Sequence, residues 1–536
     1  MKRKSVQRIL TLLLAVMLLS GCANDTSDGG TQQSTEQKTG GVSGDEYNGN
    51  GPITTQSGQS LTILGQTSNY SNVDIAEAPI VKKVVEDSGI SVEWQLIDFN
   101  SYADSVSPML GSGQVDADII LLPDNDETQK YIKSGMFEPL SDHFDIMPNY
   151  VKWLDEHPDT KAAMTAQDGK IYYMPKTDDG KNFLPCVMYN QVWLDKAGKE
   201  MPATLDDFVE LLRYFRDNDM NGNGDTADEI PMSVTASYLP YLFAPAFGLD
   251  LRSGFQGDES GKVTYAYADK EKYRAYVEFM RDLYEEGLLE VEYTSLTRDQ
   301  VIERMSNDLT GVGCDHSWAM SMMYSVVLPY YDGTAETGFV GGRPLASDIS
   351  EGFMIGQKGY GQMRGVNANS DNIELACKFL DFAYSEANQE MYCWGIEGES
   401  YTVDAEGNKV YTEQASDNDW LQQLGINPQF VLPANTSKEA TYALLPDWHV
   451  EIDLWQEQFV KDPWPFIYST DEEAEVMNTY MADITTYAEE NTTAFINGTK
   501  SLDTFDSYIA GFDALHLQDV LDVKQATYNR YLENLK

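Results

Sequence analysis

The stretch Asp116-Ala-Asp-Ile-Ile-Leu-Leu122 is an almost unbroken apolar run that stops at Pro123-Asp-Asn-Asp126. A short apolar run bounded by turn residues reads as a buried strand. Behind it, Ser91-Val-Glu-Trp-Gln-Leu96 alternates as a second strand, and Ile80 to Glu86 has helical spacing. Pro79 suits the first position of that helix. Further back, Leu61-Thr-Ile-Leu64 is a short strand that runs into the polar loop Gly65-Gln-Thr-Ser-Asn-Tyr70. Alternating strands and helices predict a parallel sheet in an α/β fold. Ligands of such sheets sit beyond the carboxyl ends of the strands. Asn69 and Tyr70 after the first strand, and Asp124 and Asn125 after the later one, are therefore candidate ligand-binding residues.

Toward the C-terminus, Asp219-Met-Asn-Gly-Asn-Gly-Asp-Thr-Ala-Asp-Glu-Ile-Pro231 sets oxygen donors at alternating positions. Hard cations such as Ca²⁺ take about six to eight oxygens from carboxylates, amides and carbonyls. Glycine permits the sharp turns needed to wrap an ion. Asp219, Asn221 and Asn223 occupy positions 1, 3 and 5 of an EF-hand-like loop, with Gly224 at 6 and Asp225 at 7. Position 12 is Ile230 rather than a bidentate Glu, so Asp228 and Glu229 must close the shell. A polar turn without an ion is the alternative, because Asn-Gly makes turns generally. Upstream, Thr204-Leu-Asp-Asp207 is a helix start with acids in its first turn. Leu205, Phe208, Leu211, Leu212 and Phe215 then follow helical spacing. The loop contains no His or Cys, so any ion there is structural.

Residues 1–21 are a targeting segment: Lys2, Arg3, Lys4 and Arg8 precede the apolar Ile9–Leu19. The ending Leu19-Ser20-Gly21-Cys22 resembles the lipobox of bacterial lipoproteins, which implies cleavage before Cys22 and lipidation of it. Residues 22–59 are rich in Gly, Ser, Thr, Gln and Asn and are expected to form a flexible tether. The remainder is long enough for two lobes with cores of their own. A formal charge of −49 argues against nucleic acid and other polyanionic partners. The other four cysteines, Cys186, Cys314, Cys377 and Cys393, show no CxxC spacing and read as buried small residues.

Tyr131-Ile-Lys-Ser-Gly-Met-Phe-Glu-Pro-Leu-Ser141, Asp168-Gly-Lys-Ile-Tyr-Tyr-Met-Pro175 and Met188-Tyr-Asn-Gln-Val-Trp-Leu-Asp195 follow in order and lead into Pro202-Ala-Thr-Leu-Asp-Asp-Phe208 and the cation loop. Tyr284-Glu-Glu-Gly-Leu-Leu289, Leu309-Thr-Gly-Val-Gly-Cys-Asp-His-Ser-Trp318 and Phe495-Ile-Asn-Gly498 continue the series. This ordered set resembles the family 1 extracellular solute-binding proteins of ABC importers, over roughly residues 60–536. It is most similar to the large carbohydrate-binding lipoproteins of Gram-positive bacteria. The resemblance implies a Ca²⁺ loop of the form D-x-N-G-N-G followed by D-E-I-P. The spacing here is one residue longer before the acidic pair, leaving open whether Asp225 ligates through its carbonyl or its carboxylate.

The same resemblance implies an α/β, two-lobed periplasmic-binding-protein-like fold with a hinge and a ligand cleft between lobes. Lobe 1 is expected to hold residues 60–184 and 350–390, and lobe 2 residues 185–349 and most of 391–536. His316, Ser317 and Trp318 follow the strand at 310–314 and join the ligand candidates, with Trp318 either a stacking platform or a core residue under its loop. Trp394 and Glu397, in a segment that resembles a hinge-proximal loop, complete the set. The expected function is that of a monomeric, lipid-anchored extracellular binding protein. It would capture a carbohydrate, most simply an oligosaccharide, and deliver it to the importer's membrane permease. An extracellular glycoside hydrolase would need two carboxylates about 5–10 Å apart. No G-x-S-x-G or HExxH motif is present, and the five histidines form no pattern, so no enzyme is expected. A calcium-stabilised surface adhesin is the remaining alternative.

Overall fold

Strand β1 (Ser60–Gln66) leads to helix α1 (Pro79–Ser88), strand β2 (Ser91–Ile97), helix α2 (Tyr102–Ser112) and strand β3 (Ile119–Leu121). These match the alternation seen in the sequence, in a computed structural model that describes residues 47–67, 73–123, 128–179, 183–184, 186–258, 260–357, 359–465 and 467–534. Helix α1 forms where it does for local reasons. Pro79 opens it, Gly89 closes it in the left-handed region at φ 76°, and Ile80, Val81 and Val84 share its buried face. Each buried aliphatic side chain is worth about 1.5–3 kcal/mol.

The chain continues through α3 (Thr128–Lys133), β4 (Phe137–Glu138) and β5 (Tyr173–Thr177), then β6 (Phe183–Leu184) and β7 (Cys186–Asn190). Next come α4 (Leu205–Asp217), α5 (Arg298–Ser306), β8 (Val312–Asp315), β9 (Phe339–Gly341) and β10 (Met354–Gly356). Strand β11 (Tyr360–Asn367) is followed, after further helices, by α6 (Asp447–Gln456), β12 (Val460–Lys461), α7 (Asp471–Ile496) and α8 (Leu517–Asn534).

The main sheet has the order β2-β1-β3-β11-β4, with β5 also paired to β11. Strand β1 runs parallel to β2 and β3, but β11 is antiparallel to β3, β4 and β5. The sheet is therefore mixed rather than wholly parallel. Its core gathers residues from Ile53 to Met174, from Met363 to Ala434, and Tyr468. A second core is built from Val187 to Leu345 and from Ile484 to Val520. It adjoins an antiparallel sheet of order β8-β7-β9. A smaller cluster around Met188, Met320, Tyr324 and Met354 lies on that sheet's other side. Strands β6, β10 and β12 lie where the chain leaves one core for another, and they pair with each other in the order β12-β10-β6. The result is a two-lobed α/β molecule joined by a small three-stranded connection.

Two boundaries differ from those expected. The folded part already includes Tyr47 and Ile53, ahead of residue 60. Ile53 is buried in the first core, and the Tyr47 hydroxyl donates to Asp381 at 2.8 Å. Two large side chains suffice to dock an otherwise polar stretch, so the tether reading cannot extend past residue 46. Residues 391–434 also pack with the first core, through Tyr392, Leu421, Leu424 and Leu432. The sequence had placed them mainly with the second lobe. After the cation loop, Ile230 forms an isolated parallel bridge with Thr310. Cys314, Cys377 and Cys393 are buried thiols, as the sequence predicts.

Candidate functional site

The cation loop hangs from the end of α4. Thr204 and Asp207 form a reciprocal capping box at the start of that helix, and Asn218 caps its end. The loop then folds on its own side chains. Asp219 accepts from the backbone N–H groups of Gly222 and Gly224 at 2.6 and 3.0 Å. Asn221 accepts from Asn223 N at 3.0 Å, Asn223 from Asp225 N at 2.7 Å, and Asp225 from Ala227 N at 3.0 Å. Gly222 and Gly224 have φ of 81° and 92°, the left-handed geometry that admits glycine freely. The acidic pair closes back. Asn223 donates to Asp228 Oδ2 at 2.6 Å, and Met220 N donates to Glu229 Oε1 at 2.8 Å.

That leaves two carboxylate oxygens, Asp228 Oδ1 and Glu229 Oε2, buried without a hydrogen-bond partner. A buried carboxylate oxygen without a donor is costly. A cation beside both would remove that cost. Oxygen-only donors suit a hard ion, so the residues fit one. No group of three or more His, Cys, Asp or Glu converges as a metal cluster among the described residues. Asp219, Asp225, Asp228 and Glu229 therefore do not converge on one point in this structure.

A second constellation forms where β8 ends. Asp315 is fully buried and receives Arg298 in a bidentate pair at 2.7 and 2.6 Å. It also accepts from the His316 backbone N–H at 2.7 Å, and from the Tyr324 and Tyr238 hydroxyls. Arg298 comes from the start of α5, which Thr297 and Gln300 cap. Its guanidinium lies 5.1 Å from the centre of the Trp318 ring. His316 sits edge-on to Tyr238 at 6.3 Å and tilted to Trp318 at 6.0 Å. Burial holds the His316 imidazole below its ordinary pKa, against the pull of Asp315. The Arg298 and Arg252 charges act in the same direction as burial. Trp318 is half-buried, so it is not a closed core residue, and Ser317 is half-buried in the turn beside it.

A cavity of about 1300 Å³ opens between the lobes. Gln129 and Tyr360 line it from the first lobe and Arg252, Phe255 and Asn478 from the second, with Trp464 on the segment between them. Arg252 donates to the Gly356 carbonyl at 3.1 Å and so ties this wall to the connecting sheet.

The predicted residues divide as follows. Asn69, Tyr70, Asp124 and Asn125 lie outside the described residues, as does Cys22. His316, Ser317 and Trp318 come together at the end of β8. Trp394 is corrected: it is 3 % exposed, stacked on Tyr411 at 4.8 Å, and packed with Cys393, Tyr401 and Ala440. The last turn of its helix closes on a hairpin, which leaves the ring no free face for a ligand. Glu397 is exposed on the turn that follows, and neither residue lines the interlobe cavity. The sequence reading missed Arg252, Arg298, Tyr360 and Trp464. Only Trp464 carried a local signal, since Pro463 and Pro465 enclose it and stiffen its backbone.

Two lobes, a three-segment connection and a large cavity between them define a ligand-capturing protein. The sequence pattern of the bacterial extracellular solute-binding proteins matches residues 71–390, and the chain belongs to that family. Solute binding is the activity of the family, which sets aside the hydrolase alternative. The chain is 28% identical to the fructooligosaccharide ABC transporter substrate-binding protein FusA of Streptococcus pneumoniae, over 98% of both chains. The structure of FusA with kestose superposes with a TM-score of 0.73, at 24% identity, covering 89% of this chain and 100% of that one. An EF-hand mutant of FusA with fructo-nystose superposes equally, at 23% identity and the same coverage. The lipoprotein LipO of Bacillus subtilis is 25% identical over 258 residues, 46% of this chain and 49% of that one.

Proposed function

We propose that the protein is a lipid-anchored substrate-binding protein of an ABC importer and that it captures an oligosaccharide between its lobes. The observation that carries this is the cavity of about 1300 Å³ lined from both lobes. Small-ligand sites typically run to roughly 300–1000 Å³, so the space suits a chain of sugar rings. Its wall mixes aromatic rings, for the CH faces of sugars, with amide and charged groups for their hydroxyls. The likeness to FusA supports a carbohydrate.

A ligand touching both walls stabilises the closed arrangement over the open one by its differential contacts, and so shifts the population. The permease then takes the closed form. Trp318 and His316, which lie outside the wall of that cavity, are proposed to contact the same ligand where it leaves the cavity, with Asp315 and Arg298 setting their positions. Asn69, Tyr70, Asp124 and Asn125, in the strand-end loops, are proposed as its partners from lobe 1. Cys22 carries the lipid on the outer face of the membrane, a reading that the likeness to LipO supports. Asp219, Asn221, Asn223, Asp225, Asp228 and Glu229 hold a structural Ca²⁺. The protein acts as a monomer.

A thermal-shift screen tests the reading. Kestose and nystose, beside malto-oligosaccharides and single hexoses, should raise the melting temperature selectively. At 100-fold saturation a ligand stabilises by about 2.7 kcal/mol. A calcium-stabilised adhesin predicts no shift with any saccharide.

A further inference from the structure

We propose that Asp219 guards two chemical modification sites, Asn221-Gly222 and Asn223-Gly224, where the side-chain amide is lost as ammonia once that carboxylate is removed. In an asparagine-glycine pair the second backbone nitrogen reaches the side chain with little hindrance, because glycine carries no Cβ. The step needs no partner molecule beyond water. The glycine nitrogen gives up its proton and bonds to Cγ of the preceding asparagine, which closes a five-membered imide ring. The bond from Cγ to Nδ2 breaks, and Nδ2 leaves as ammonia with that proton. Water then opens the ring at one carbonyl or the other and leaves aspartate or isoaspartate.

The attacking nitrogens are those of Gly222 and Gly224, and both donate to one group. Gly222 N donates to Asp219 Oδ1 at 2.6 Å, and Gly224 N donates to Asp219 Oδ2 at 3.0 Å. Each nitrogen must shed its proton before it can attack. A hydrogen bond to a carboxylate holds that proton in place. The same anion disfavours a second negative charge on the nitrogen beside it. Access is not what protects these sites. Gly222, Asn223 and Gly224 are exposed and Asn221 is half-buried, so water reaches the loop. Asn50-Gly51 supplies the contrast. It is exposed too, and its glycine N–H donates to none of the described residues.

The reaction would undo the loop. Asn223 Nδ2 donates to Asp228 Oδ2 at 2.6 Å. Loss of ammonia there sets a carboxylate against a carboxylate, among the charges already present on Asp219, Asp225, Asp228 and Glu229. By holding two backbone protons, Asp219 preserves the mixture of amides and carboxylates on which the turn is folded.

The test is timed incubation of the full chain at mildly alkaline pH, in EDTA and separately in excess Ca²⁺. Peptide mass spectrometry then follows amide-to-acid conversion at each asparagine, with Asn50 as the internal clock. In wild type, Asn221 and Asn223 should convert about tenfold or more slowly than Asn50 in both conditions. Asp219→Ala should bring both close to the Asn50 rate. Asp219→Asn keeps the shape and one acceptor oxygen but not the charge, and it should also be faster than wild type. Asp228→Asn disturbs the same turn but leaves both bonds to Asp219, so it should stay slow. Wild-type loop conversion as fast as that of Asn50 overturns the proposal, as do equal rates in the Asp219 and Asp228 variants. Protection that vanishes in EDTA also overturns it, because an ion rather than Asp219 would then be the guard.

Discussion

Asp315 shows how one buried carboxylate can organise a binding surface. It collects Arg298, two tyrosine hydroxyls and a backbone N–H, and Arg298 in turn covers part of Trp318. The two residues should fail differently. Trp318→Ala removes a half-buried ring, so saccharide affinity should drop roughly 10- to 100-fold, the equivalent of about 1.5–3 kcal/mol. The unliganded melt should barely move. Asp315→Asn leaves Arg298 without its counter-charge and should cost stability on the order of 3 kcal/mol, seen as a lower unliganded melt. If Trp318→Ala lowers the melt as much as Asp315→Asn does, the ring is structural.

Asp381 makes the complementary case in the first lobe. Burial pushes its carboxyl up to about 6, while donation from Tyr150 N, Tyr47 and Asn149 pulls the other way. In the unfolded chain an aspartate loses its proton near 4. Between those values the folded state holds the extra proton, so this group's contribution to stability is full below about pH 4 and is lost as pH rises through 6. The loss is on the order of 2–3 kcal/mol. Asp381→Asn should remove that slope. Urea titrations of both proteins at pH 4.5 and pH 7.5 should give a wild-type-minus-variant difference that changes with pH. A constant difference would show that the carboxyl keeps its ordinary affinity for protons.

At the scale of elements, the cation loop makes the sharpest claim. Two partnerless carboxylate oxygens in one turn should repel each other and loosen the loop without an ion. EDTA should therefore lower the melting temperature and excess Ca²⁺ restore it, and Asp219→Ala should abolish the response. Identical curves with chelator and with Ca²⁺ would reduce the loop to a polar turn.

Legibility also divides by element. Strands β1 and β2 and helix α1 were plain because their apolar spacing repeats locally, and α4 because its cap and its buried face are both written in adjacent residues. Strand β11 was not. It reads Tyr-Gly-Gln-Met-Arg-Gly-Val-Asn over 360–367, with two glycines and an arginine that is 1 % exposed. None of these favours a strand by itself. Gly365 is required there because an added Cβ would lie 2.3 Å from the Phe137 ring, a constraint that only the folded sheet imposes. Trp394 misled for the reverse reason: an aromatic after a helix resembles a binding residue until the hairpin that covers it is known. The cavity was illegible for a simpler reason, because its walls come from residues as far apart as Gln129, Arg252, Tyr360 and Trp464.

For the whole molecule, the lipid anchor proposed at Cys22 should be separable from the binding body. The cores as described draw on residues from Ile53 onward, so Cys22→Ala should release the protein into the soluble fraction with its melting temperature unchanged. A variant that still sediments with membranes would refute the lipobox reading.

The position of β11 within the main sheet has a further meaning for the life of the chain before it binds anything. Its neighbour β3 is complete by residue 121, yet β11 begins only at residue 360, after most of the second lobe has been made. Pairings this remote in sequence are slow to form, and an incomplete sheet leaves strand edges unpaired in the meantime. The first lobe thus cannot assemble from its own early segments while the chain is being synthesised. A chain of this extracellular family therefore gains a central strand of its first lobe only when most of the second has been made.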